Sequence, residues 1–207
     1  LQEWDYEDGT RNQQESISFM VVEKGIYTLS DGTKIEAGTF TSSTSFEQIF
    51  LNQSYSATPV ILTQVISQNE SDAVAGRLDN ITLNSFDFKL QEMEATRKPQ
   101  ASEEIGYLAF EPGSGSISGG FLYETGKTTK SVTHNWHNLS YQTSFADQVP
   151  VFIAGIQTYE GRDTATVRMQ GISPTATQIR VEEELSKDTE IRHKAESVGY
   201  LLINTTN

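Results

Sequence analysis

The chain contains no cysteine, which excludes a disulfide framework and any thiolate metal site. No apolar run approaches the ~18 residues that a membrane-spanning helix needs, so no membrane insertion is expected. Cations are scarce. Lys and Arg number 15 against 28 Asp and Glu, a net charge of −13. Nucleic-acid surfaces need clustered cations to displace counterions, so this balance argues against a nucleic-acid partner, and equally against docking on an anionic membrane. Only three histidines occur, His134, His137 and His193. They form no Ser/His/Asp arrangement with a recognisable nucleophile elbow. His134 and His137 lie three apart, and on a strand they face opposite sides, which disfavours a shared metal. A long amphipathic helical pattern is also missing.

What remains is rich in Gly, Ser and Thr, with 10% aromatics. This is an all-β composition. The chain also repeats itself. "PVILTQVISQNESDAVAGRLDNI" (59–81) aligns with "PVFIAGIQTYEGRDTATVRMQGI" (150–172), with Pro59 on Pro150, Asp72 on Asp163 and Arg77 on Arg168. The register continues through Phe88/Ile179, Leu90/Val181 and Glu92/Glu183. "EEIGYLAF" (103–110) then matches "ESVGYLLI" (196–203), and "KIEAGT" (34–39) matches "LYETGK" (122–127). A third closing strand, "ESISFMVV" (15–22), stands near the N-terminus. The predicted organisation is two tandem antiparallel β-sandwiches of about 90 residues each, over 26–112 and 113–207. Residues 1–25 form the closing hairpin of a preceding repeat, as if the chain were a piece of something longer. The Gly/Ser-rich "EPGSGSISGG" (111–120) is taken as the connector. It lacks the Gly-Lys-Ser/Thr and following helix of a phosphate loop.

Each hairpin carries two glutamates at matching positions: Glu3 and Glu15, Glu92 and Glu103, Glu183 and Glu196. Alternation places Glu92 and Glu103 on the inward side of the sandwich, at its rim. Converging carboxylates repel unless a cation or donor sits between them. Arg77 and Arg168 are the candidates within their own repeats, since a guanidinium can bridge carboxylates. Three readings stay open: a rim salt-bridge network, a polar ligand site, or a calcium site built from oxygen ligands. A glycosidase needs two carboxyls flanking a cleft, whereas a sandwich this small offers a shallow surface, so the chain reads as non-enzymatic. Trp136 aligns with Phe46, a packing position or a sugar platform.

The order of these features, with the aromatic segment "HNWHNLSYQTSF" (134–145) and above all "VRMQGISPT" (167–175), resembles the H-type lectin domain. The resemblance covers most of both repeats as scattered positions. It implies a small β-sandwich that binds galactose-type sugars and often assembles as a trimer. The sugar-contacting arginine would be Arg77 and Arg168, and the glycine near the domain start Gly38 and Gly126. The Trp-His pair of the lectin hairpin has no full counterpart here; His193 alone supplies an imidazole. The candidate ligand-binding residues are therefore Gly38, Arg77, Glu92, Glu103, Gly126, Arg168, Glu183, His193 and Glu196. The expected function is a non-catalytic carbohydrate-binding or adhesion module, with a polysaccharide or glycan as partner and self-association through the repeats or the 1–25 hairpin. The alternative is a structural repeat of an extracellular fibre. The expected setting is secreted and bacterial, because a cysteine-free exported chain is commoner there.

Overall fold

The computed structural model describes Trp4 and residues 17–95, 100–117, 119–146 and 148–204. Among them there is no helix, and every named strand pairing is antiparallel. The expected hairpin at 1–25 falls mostly outside the described residues. Repeat one comprises β1 (Gly25–Thr28), β2 (Lys34–Ser42), β3 (Glu47–Phe50), β4 (Val60–Val65), β5 (Val74–Asp79), β6 (Ser85–Glu92) and β7 (Glu103–Phe110). Repeat two comprises β8 (Gly113–Ile117), β9 (Phe121–Lys127), β10 (His137–Ser140), β11 (Val151–Ile156), β12 (Ala165–Gln170), β13 (Ala176–Glu183) and β14 (Val198–Ile203).

The two repeats have one topology. Repeat one pairs a four-stranded sheet, β1-β2-β7-β4, with a three-stranded sheet, β3-β6-β5; repeat two pairs β8-β9-β14-β11 with β10-β13-β12. The all-β class and tandem sandwiches expected from the sequence are what is observed. Even the turns repeat: Asn80 and Gly171 both have left-handed φ, 47° and 61°, after β5 and β12.

Alternation along the strands explains the layers. In β7, Ile105, Tyr107 and Ala109 enter the core of repeat one with Phe86, Phe88 and Leu90. In β14, Val198, Tyr200 and Leu202 enter the core of repeat two with Ile179 and Val181. The intervening residues face the other way and meet across the junction. Val60, Leu62, Leu108 and Phe110 pack with Tyr123 and Leu201 in a third core shared by both repeats. The two four-stranded sheets therefore lie back to back, with a three-stranded sheet outside each.

One expectation is corrected here. The Gly/Ser segment read as a connector contains strand β8, Gly113–Ile117, paired with β9. Its glycine content has a packing reason at Gly115, where an added Cβ would come within 2.2 Å of Asp31 Oδ2. Only Glu111 and Pro112 separate β7 from β8.

Candidate functional site at the junction of the repeats

The edge strands β4 and β11 adjoin at the junction. An edge strand presents unpaired backbone groups. Gln157, just after β11, satisfies one residue of β4: its Oε1 accepts from Ile61 N at 2.9 Å and its Nε2 donates to Ile61 O at 2.7 Å. The side-chain amide thus stands in for a strand residue. Gly199 leaves it room, since a Cβ there would lie 2.6 Å from the Gln157 amide carbon.

Beyond Gln157 the chain crosses the outer face of the three-stranded sheet of repeat one. Arg77 waits there. Its neighbours Gly76 and Leu78 take inward positions, with Leu78 in the core and Gly76 under Phe88, so Arg77 points outward. Its guanidinium is nevertheless fully buried, because the 157–164 loop of repeat two covers it. Nη1 donates to Asp163 O at 2.7 Å and to Gln91 Oε1 at 3.1 Å. Nη2 donates to Gly161 O at 3.1 Å and to Glu196 Oε1 at 3.2 Å. Tyr159 lies over Arg77 at 4.8 Å and over the Lys89 ammonium at 4.3 Å, and Phe46 meets the same Tyr159 ring edge-on. Burial pulls the Arg77 pKa down, opposed by the Glu196 charge.

Glu196 is the hub on the other side. Besides Arg77 it accepts from the Thr158 hydroxyl, from Glu160 N at 3.0 Å and from Gly161 N at 2.9 Å. Burial alone would raise its pKa, but the hydrogen bonds from His193, Thr158 and the two amides outweigh it and hold the carboxyl below the usual range. His193 bridges Glu183 and Glu196, with Nδ1 2.6 Å from Glu183 Oε1 and Nε2 3.1 Å from Glu196 Oε1. A neutral imidazole has one N–H for these two carboxyls. The second contact needs another proton, held on the ring or on Glu183, whose pKa burial pushes up against the pull of His193. A Cβ on Gly161 would sit 2.3 Å from the His193 ring, so only glycine lets the loop close over it.

Repeat one contains the same carboxylate clamp. Glu103 accepts from the Ser67 hydroxyl at 2.5 Å, Asn69 N at 2.9 Å and Glu70 N at 3.1 Å. Each partner stands 91 residues before its counterpart at Glu196, namely Thr158, Glu160 and Gly161. Here too burial raises the carboxyl, but the Ser67, Asn69 and Glu70 donors prevail and lower it.

The nine candidate residues do not form one ligand site. Arg77, Glu183, His193 and Glu196 come together at the junction, but buried inside it. Arg77 reaches the glutamate of the other repeat, contrary to the expectation that it serves its own. Arg168 faces outward and bonds Glu182, not Glu183 or Glu196. Glu92 has the expected inward parity, and its Oε1 is buried without a partner. Glu103 is held by its own loop. Gly38 and Gly126 lie beneath tyrosines, where a Cβ would come within 2.6 Å of Tyr107 and 2.8 Å of Tyr200. Those tyrosines donate to buried carboxylates: Tyr107 to Glu36 at 2.6 Å and Tyr200 to Glu124 at 2.9 Å. The glycines therefore make space for an internal Tyr–Glu pair. The pair was visible in the alignment, since Glu36/Glu124 and Tyr107/Tyr200 match across the repeats. Gln157 and Tyr159 carried no such signal, because Ile66 and Gln68 occupy the matching positions. Phe46 and Trp136 belong to the surface, 39% and 37% exposed. Among the described residues, no three acidic, His or Cys side chains are grouped to hold a metal ion.

Comparison with known proteins adds one relative. No family model matches the chain, and no solved structure matches it. Halomucin from Haloquadratum walsbyi is 32% identical over 212 aligned residues, covering all of this chain. The chain spans about 2% of the length of that relative. The relative is archaeal, so the expected bacterial origin finds no support in it. No helix among the described residues is long and apolar enough to cross a membrane.

Proposed function

We propose that this chain is a structural tandem-repeat module of a long secreted or cell-surface protein, in which two β-sandwich repeats are fixed as one rigid body. One observation carries the reading. The arginine with the best claim to a ligand, Arg77, is spent on joining the repeats, with four acceptors drawn from both sides of the junction. Likeness over the full chain to a small part of halomucin supports an extracellular repeat setting. The charge of −13 suits a saline medium, where screening relieves the self-repulsion of an acidic surface. Small-angle scattering of the full chain and of Arg77→Ala tests the reading. The parent chain should fit one fixed arrangement of the two repeats, and the variant a broader distribution. A parent chain that already samples many arrangements would refute it.

A second reading keeps the lectin expectation but moves its place. The outer face of β10-β13-β12 presents Trp136 with the Arg180 guanidinium 4.6 Å from its ring centroid. Beside them runs a polar row in which Gln170 bonds Gln178 at 2.7 Å and Gln178 bonds Asn138 at 2.8 Å. An exposed aromatic bordered by amides can bind a sugar by stacking and hydrogen bonds. A glycan array with and without calcium tests this, with loss of signal in Trp136→Ala as the required control.

A further inference from the structure

The covered face of repeat one and the open face of repeat two are built alike. In repeat one, Arg77 bonds Gln91, and Lys89 lies 5.0 Å from the Phe46 ring centroid. In repeat two, Arg168 bonds Glu182, and Arg180 lies over Trp136. The cross-strand pairs correspond as well, Arg77 opposite Lys89 and Arg168 opposite Arg180. What differs is the cover. Face one is closed by the 157–164 loop of the following repeat; Arg168 is 39% exposed.

The opposite end carries the corresponding loop. The loop that clamps Glu103 in repeat one corresponds to the one that receives Arg77 in repeat two. Glu92 stands for Glu183 and Gln100 for His193, yet Glu92 Oε1 and both amide atoms of Gln100 are buried without hydrogen-bond partners. Buried polar atoms are rarely left unpaired. Glu92 is further raised in pKa by burial and by the nearby Glu70 and Asp72, and among the described residues no arginine is paired with these charges as Arg77 is with Glu196. One end thus offers two arginines, and the other Glu70, Asp72, Glu92 and Glu103, which form no ion pair among the described residues.

We propose that each end is a docking surface for another copy of this repeat pair. The β10-β13-β12 face of one copy takes the 67–72 loop of the next, with Arg168 directed to the Glu70 and Asp72 carbonyls and to the carboxyls of Glu92 and Glu103. The contact is head-to-tail, so it propagates without closing on itself unless the rotation happens to complete a ring. It rests on the rigid-module reading above and extends it from two repeats to a series.

Sedimentation velocity of the full chain in concentrated salt tests this. There the mutual repulsion of acidic copies is screened, while partly buried pairs are screened less. The average mass should rise with concentration up to about 1 mM, the range of weak repeat contacts. Arg168→Glu should weaken association at least about tenfold. Glu92→Lys should do the same from the other end, and Trp136→Ala supplies a milder change on the Arg168 face. Mixing Arg168→Glu with Glu92→Lys should restore a one-to-one complex, because each variant retains the surface the other has lost. Circular dichroism confirms that each variant is folded before it is compared. A folded parent chain that stays monomeric over this range overturns the proposal, as does association indifferent to both charge reversals. Either result leaves the rigid junction standing, since that is measured within one chain by scattering.

Discussion

Arg77 and Arg168 occupy equivalent sequence positions and make the same first contact, to residue 91 or 182 on the neighbouring strand. Their surroundings differ completely. Truncating Arg77 takes the one guanidinium from the buried Glu196 carboxylate and leaves the Gly161 and Asp163 carbonyls short of a donor inside the junction. Removing one member of a buried ion pair costs about 3–5 kcal/mol. Truncating Arg168 breaks a solvent-accessible pair with Glu182, for which about 0–1 kcal/mol is the usual cost. Urea denaturation of Arg77→Ala and Arg168→Ala, followed by circular dichroism, should show this contrast. The Arg77 variant should also separate the unfolding of the two repeats, because a principal link between them has gone. A single unshifted transition in Arg77→Ala, or equal losses in the two variants, would refute the assignment of Arg77 to the junction.

Three more outcomes are expected. Glu103 and Glu196 are held below the ordinary carboxyl pKa, so their contribution to stability is present above the unfolded value of about 4.3 and is lost as pH falls through their folded values; Glu196→Gln should flatten the acid limb of a stability–pH curve. Glu94 behaves oppositely. Burial, then its hydrogen bond and charge interaction with Asp163, push it up to about 7, so its contribution declines as pH rises from the unfolded value towards 7, and Glu94→Gln should stabilise the chain at pH 8 but not at pH 4, as read by urea midpoints. Gly38→Ala and Gly126→Ala should each cost about 1–3 kcal/mol by overpacking against Tyr107 and Tyr200, and differential scanning calorimetry would show a lowered Tm with or without any sugar present.

Strand alternation and the offset of 91 made the sandwiches legible, because both are local or periodic properties. The parity of Phe88, Leu90 and Glu92 predicted which side faces the core. The junction was not legible, for a physical reason. Its key residues, Gln157 and Tyr159, are places where the repeats differ, while Arg77 is a place where they agree, and an alignment treats agreement as shared purpose. Arg77 and Arg168 are the same residue in the same local frame. Only the path of the 157–164 loop makes one a buried link and leaves the other exposed. The family resemblance led to Gly38 and Gly126 as sugar contacts, because a glycine under a tyrosine and a glycine beside a ligand leave the same trace in a sequence.

The passage from β7 to β8 takes only Glu111 and Pro112. Glu111 is itself tied down, accepting from Ser56 N at 2.7 Å and Lys34 N at 3.2 Å, while proline fixes its own φ. A flexible tether lets beads wander, and its average span grows only as roughly the square root of its length. Here almost no tether exists, and the strand it leaves, β7, is central in its sheet. A series of such modules would gain length in proportion to their number. Tension along the chain would pass from one central strand straight into the next repeat, so extension would have to break sheets or junctions before it could draw out slack.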